Sequence, residues 1–167
     1  MLSVSYETIL PAQILFLEHI GKIFPHFLKE LPVIDLAKLV TLMFDSVSTC
    51  GALMNAKLSA ILGAINSPIF DDNDSRSLML PTCCEHIRMH LLAKEEMKLC
   101  SDLLGDIITF LREKKSNADD DHDLNAIQKD VDVVVESLLV TLIETISSMD
   151  KQICSMITVS KPIHGMA

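Results

Sequence analysis

Between Leu124 and Met149 the chain reads LNAIQKDVDVVVESLLVTLIETISSM. Ile127, Val131, Val134, Val135, Leu138, Leu139, Leu142, Ile143 and Ile146 recur at steps of about three and four, the period of one helix face. The β-branched run Val131–Val135 has some strand character, but the length and flanks of the stretch favour a helix. All of these residues are read as core, so Leu139→Asp is expected to cost several kcal/mol by burying a charge.

Working outward, five further stretches have the same period. The nearest runs from about Lys94 to Lys114, with Met97, Cys100, Leu103, Leu104, Ile107, Ile108 and Leu111 as its stripe. Glu95 and Glu96 lie in its first turn and Arg112, Lys114 and Lys115 in its last, which complements the helix dipole. Before it, a helix over about Ser75 to Leu92 carries Leu78, Leu80, Ile87, Leu91 and Leu92, with a kink expected at Pro81. A helix from about Ala52 to Asn66 ends at Pro68. Another, from about Asp35 to Thr49, takes Asp35 as its N-cap. The first runs from about Pro11 to Leu31, where Pro25 should kink or split it.

The connections are short and polar. Asp71-Asp72-Asn73-Asp74-Ser75 offers N-caps to the helix that follows, and Ser116 to Asp123 reads as an exposed acidic loop. Six amphipathic helices with short links form antiparallel pairs. Because each stripe is broad enough for two neighbours, the fold class expected is all-α, stacked helical hairpins of the HEAT or armadillo sort. A closed bundle is the structural rival. Residues 1–152 are read as one helical-repeat segment and 153–167 as a loose tail.

Composition agrees. Hydrophobic residues make up 49% of the 167, but only 4% are aromatic and Trp is absent, so aliphatic side chains must fill the core. The formal charge of −9 repels phosphates, which argues against nucleic-acid or anionic-membrane surfaces. The five Cys (Cys50, Cys83, Cys84, Cys100 and Cys154) are odd in number and form no C-x-x-C, so buried thiols in a reducing, cytoplasmic setting are expected. No signal peptide or apolar run of roughly 18 residues is found.

His86 and His90 share a helix face at i, i+4, but Ile87-Arg88-Met89 between them lacks the Glu of a zinc-protease helix. They read as solvated surface. Cys83–Cys84 has no cation cluster to lower its pKa and reads as buried structure. Asp119-Asp120-Asp121-His122-Asp123 and Asp71-Asp72-Asn73-Asp74 lack the alternation, Gly and closing Glu of a calcium loop. No phosphate-binding or nucleophile-elbow motif occurs. No catalytic, cofactor-binding or metal residue is assigned, and no cofactor is expected.

Several stretches resemble one family: Leu78-Met79-Leu80-Pro81, the run Glu96 to Ile108 (EMKLCSDLLGDII), Ile127-Gln128-Lys129-Asp130-Val131, Val135-Glu136-Ser137-Leu138-Leu139 and Thr145-Ile146-Ser147-Ser148-Met149. Over roughly residues 15–152 the order of features is similar to the helical middle of dedicator-of-cytokinesis proteins. The resemblance implies an armadillo-like spacer between a membrane-binding C2-like domain and an exchange domain. It implies a parent that is a guanine-nucleotide exchange factor for Rac-type GTPases, active in actin remodelling, cell migration and engulfment, with ELMO-type adaptors as partners. The family's exchange residues lie in another domain, and none is carried onto this chain. The chain is expected to be non-catalytic, either an internal fragment of a longer protein or a short product of a longer gene. The alternative is an independent HEAT-like or bundle adaptor that holds a partner helix in an apolar groove.

Overall fold

The computed structural model describes residues 6–47, 51, 53–118 and 120–159. Among these residues the chain forms seven helices and no strand: α1 (Tyr6–Phe27), α2 (Val33–Ser46), α3 (Leu53–Ile65), α4 (Pro68–Asp71), α5 (Asn73–Ala93), α6 (Met97–Ser116) and α7 (Asp121–Val159). The expected all-α stack of hairpins is what forms. The extra element is the single turn α4, which Ser67 caps through its hydroxyl at Ile69 N and Pro68 opens at the first position.

Two layers carry the stack. One holds α1, α3 and α6, with α3 packed on both of the others; the second holds α2, α5 and α7, with α5 between its neighbours. The main hairpins α1–α2, α3–α5 and α6–α7 begin at Tyr6, Leu53 and Met97, a period of about 45 residues that matches HEAT or armadillo units better than the ~34 of a tetratricopeptide pair. α5 and α7 are parallel, because Asn73 meets Asp123 and Arg76 meets Asp130, so numbers rise together. α6 and α7 are antiparallel: Asn117 and Ala118 face Asp123, whereas Ile108 and Leu111 face the Val131–Val135 turn.

Local sequence explains the boundaries. Asp72 caps α5 by accepting from Ser75 N at 2.9 Å, as the acidic loop predicts. At the far end Glu95 N bonds His90 O and Lys94 N bonds Leu91 O, a Schellman ending in which Lys94 takes a left-handed φ of 56° where glycine is usual. Asp120 caps α7 at Asp123 N, 2.8 Å away. Small residues set the closest approach of α1 to α3. A Cβ built on Gly21 would lie 3.0 Å from Gly63 Cα, so any larger residue pushes the two backbones apart.

Several expectations are corrected. α2 starts at Val33 with Pro32 as its uncapped N-cap residue, so Asp35 lies inside the first turn rather than at the cap. There it still faces the positive end of the dipole and pairs with Lys38 at 3.1 Å. α1 begins at Tyr6, before the expected Pro11, and is not split at Pro25, while Pro81 lies inside α5 as the sequence placed it. α7 continues helical to Val159, past the change of pattern read after Asp150; residues 160–167 lie outside the described residues, as does Cys50.

The core runs through the middle of the stack, from Leu17, Ile20 and Phe24 through Leu58, Ile61 and Ile65 to Cys83, Ile87, Leu103, Ile107 and Leu138. Cys83, Cys84 and Cys100 are buried thiols with no disulfide. The sixth stripe read from sequence divides in two. Ile127, Val134 and Leu138 are buried, but Val135, Leu139, Ile143 and Ile146 are exposed, Leu139 by 49%. Leu39, Leu78, Leu92 and Ile108 are exposed as well. An apolar stripe wider than the neighbours available leaves its outer half in solvent.

Candidate functional site

Three polar or apolar assemblies stand out, and the first joins four helices. Arg76 of α5 is fully buried, and its Nε donates to Asp130 Oδ2 of α7 at 2.7 Å. Its Nη2 donates to Asn73 Oδ1 at 2.7 Å, and Asn73 Nδ2 donates to Asp123 Oδ1 at 2.8 Å. Nη1 reaches the Phe70 and Asp71 carbonyls that end α4. The guanidinium also lies 5.6 Å from the centre of the Phe110 ring of α6, which Phe70 meets edge-on. Burial pushes the Asp130 carboxyl up, against the pull of Arg76. The arrangement satisfies a buried charge and fixes the register of α4, α5, α6 and α7.

The second assembly lies where α2 ends. Lys57 of α3 is 1% exposed, and its Nζ donates to Val47 O, just past the C-terminus of α2, at 2.8 Å. A cation there meets the negative end of the dipole. Burial brings its pKa down to about 8, with Asp45 opposing. His86 and His90, read as solvated surface, are instead buried, and His86 Nδ1 and His90 Nε2 have no hydrogen-bond partner among the described residues. Burial, then the charge of Lys57, lowers His86 to about 4; burial lowers His90 as well, with Glu95 opposing. Both rings are neutral at pH 7. Burial raises Cys83, and raises Cys84 to about 12, so neither is a thiolate at neutral pH. These groups offer packing and helix-end stabilisation rather than an activated nucleophile.

The acidic stretch comes together in part. Asp120, His122 and Asp123 can bring ligand atoms within 4.8 Å of one another. Two of the three are already used: Asp120 caps α7 and Asp123 accepts from Asn73. Asp72 and Asn73 are likewise spent on the start of α5 and on Arg76, and Asp71 pairs with Lys114 at 2.9 Å.

The third assembly is the pair of end faces. At the first end, the α1–α2 groove is lined by nine side chains, among them Phe16, Phe27, Leu31 and Leu39, and none is polar. At the other, the α6–α7 groove is lined by Ile108, Leu111, Val131, Val134 and Val135, with Arg112 and Lys115 beside them. Leu139, Ile143 and Ile146 extend this face along α7. No helix of the described residues is long and apolar enough to cross a membrane.

Sequence reasoning passed over Arg76, Asp130 and Lys57. Each had a signal: a charge in phase with a buried stripe. Arg76 precedes Met79, Leu80 and Cys83 by three, four and seven residues, Asp130 stands between Ile127 and Val134, and Lys57 precedes Ile61 by four.

Comparison with known proteins agrees with this architecture. A family model described as the dedicator of cytokinesis (DOCK) TPR region matches residues 1–163. Dedicator of cytokinesis protein 3 of Mus musculus and of Homo sapiens are each 30% identical over 144 residues, 84% of this chain. Dedicator of cytokinesis protein 4 of Homo sapiens is 26% identical over 139 residues, 81% of this chain. The matched part is 7% of the length of each of these relatives. No solved structure matches. A stack of helical hairpins, matched along nearly its whole length by that one region, belongs to the dedicator-of-cytokinesis family.

Proposed function

We propose that this chain is a non-catalytic spacer in a DOCK-like guanine-nucleotide exchange factor, and that its two end faces are covered by neighbouring helices of a longer polypeptide. The observation that carries this is that both ends of the stack are apolar. A free-standing solenoid needs terminal repeats with a polar outer face, whereas the α1–α2 groove is lined by apolar side chains alone and the α6–α7 groove has an apolar floor edged by Arg112 and Lys115. The short share of the relatives' length that the chain spans supports the same reading. In this role the segment read over residues 1–152, with α4 to α7 tied by the Arg76–Asp130 junction, sets the distance between functional ends of the parent. Exchange on a Rac-type GTPase, ELMO-type adaptors, signalling to the actin cytoskeleton and a cytoplasmic location belong to that parent. No metal or cofactor takes part in this segment's role.

The test extends the chain into the flanking sequence of its gene. The 167-residue chain should bind the dye ANS, and a chain lengthened by one helical hairpin at each end should bind much less. Neither should accelerate nucleotide release from a Rac-type GTPase. Equal dye binding by both, or exchange by the short chain, would overturn the proposal. A second reading, an adaptor that holds a partner helix, is favoured by the wholly apolar α1–α2 groove. It requires that groove to stay open in the lengthened chain.

A further inference from the structure

We infer that the two end faces fit each other, so that the segment alone binds a second copy of itself head to tail. This rests on the reading of the ends as open repeat junctions. Within the chain, layer one grows by placing α3 on α1 and α6 on α3; layer two grows by placing α5 on α2 and α7 on α5. The last pair presented is α6 and α7, and the first is α1 and α2. Setting the α1–α2 end of one copy on the α6–α7 end of another continues both layers by the operation that built them. No other pairing of ends does so.

Charge does not oppose this arrangement: Arg112 and Lys115 stand beside the α6–α7 groove with Asp132 and Glu136 near them on α7, and Asp35 on α2 is paired with Lys38.

Size is adequate too. Phe16, Phe27, Leu31, Leu39 and Leu42 at one end, with Ile108, Val135, Leu139 and Ile143 at the other, are between 36% and 64% exposed. Large side chains half exposed offer on the order of 800 Å² of apolar surface between the two ends, and their rims bring the total near the ~1,200 Å² at which specific interfaces begin. Because the contact is heterologous, it leaves one free end of each kind and does not close.

The experiment is light scattering on the full 167-residue chain between about 10 and 500 μM, with Leu39→Glu to block one end and Val135→Glu to block the other. Both residues are exposed, so the variants keep the helical circular dichroism and melting of the parent. The wild-type mass should rise with concentration past the dimer. Each variant alone should stay monomeric, and an equimolar mixture should form a one-to-one dimer and stop, since each supplies the end the other lacks. A wild-type chain that stays monomeric overturns the inference, as does dimerisation of either variant alone or a mixture that does not associate. ANS binding by such a monomer would leave the spacer reading standing, and its absence would sink both.

Discussion

α5 and α7 run side by side and parallel, yet they meet opposite surroundings. α5 carries Arg76, His86 and His90 on its covered side; these three polar side chains are no more than 6% exposed. α7 has the more apolar sequence, but Val135, Leu139, Val140, Ile143 and Ile146 stand in solvent, each at least 46% exposed. Position in the stack, not hydrophobicity, decides what is buried. α5, packed between α2 and α7, must satisfy the charge it brings on its covered sides, although Ser77, Leu78, Pro81, Glu85 and Met89 still face solvent. α7, at the end of the layer, has one side covered and leaves its outer apolar residues exposed.

The comparison breaks most easily at the buried ion pair. Asp130→Ala leaves the Arg76 guanidinium without its anion inside the stack, and a loss of about 3–5 kcal/mol is expected in urea unfolding. The double variant Arg76→Met with Asp130→Leu should recover most of that, because no charge is then left alone. A single variant as stable as the parent would mean that α5 is not the enclosed helix described.

A smaller effect sharpens the same contrast through pH. The folded protein holds His86 near 4 rather than 6.5, faced by Lys57, Asp45, His90 and Glu85. The unfolded chain therefore takes up this proton first as pH falls. Stability that is complete above about 6.5 is lost progressively down to about 4. With allowance for residual solvation, about 1–2 kcal/mol should be gone at pH 5 relative to pH 7. His86→Gln should flatten that part of the profile. An unchanged slope would place His86 in solvent, as the sequence suggested.

The smallest effect concerns the turn between α5 and α6. Lys94→Gly removes a Cβ from a left-handed residue and should raise the melting free energy by up to about 1 kcal/mol. A loss instead would mean that the Lys94 side chain stabilises the turn by more than its backbone strain.

Much of this was legible from residue order. The helical period of every main element, the Asp72 cap and the burial of Cys83, Cys84 and Cys100 follow from local pattern. Two kinds of feature were not. His86 and His90 carry polar labels, but α5 is enclosed on the side they face. The outer stripe of α7 repeats the period of its inner stripe, and period alone cannot say how many neighbours are present.

The central claim, that α7 has one covered apolar face and one open one, is tested most directly on adjacent residues. Leu138 is 1% exposed and Leu139 49%. In chemical unfolding at one low protein concentration, Leu138→Asp should cost at least roughly 3 kcal/mol by placing a charge in the core. Leu139→Asp should stay within about 0.5 kcal/mol of the parent. Comparable losses in the two variants would contradict the account.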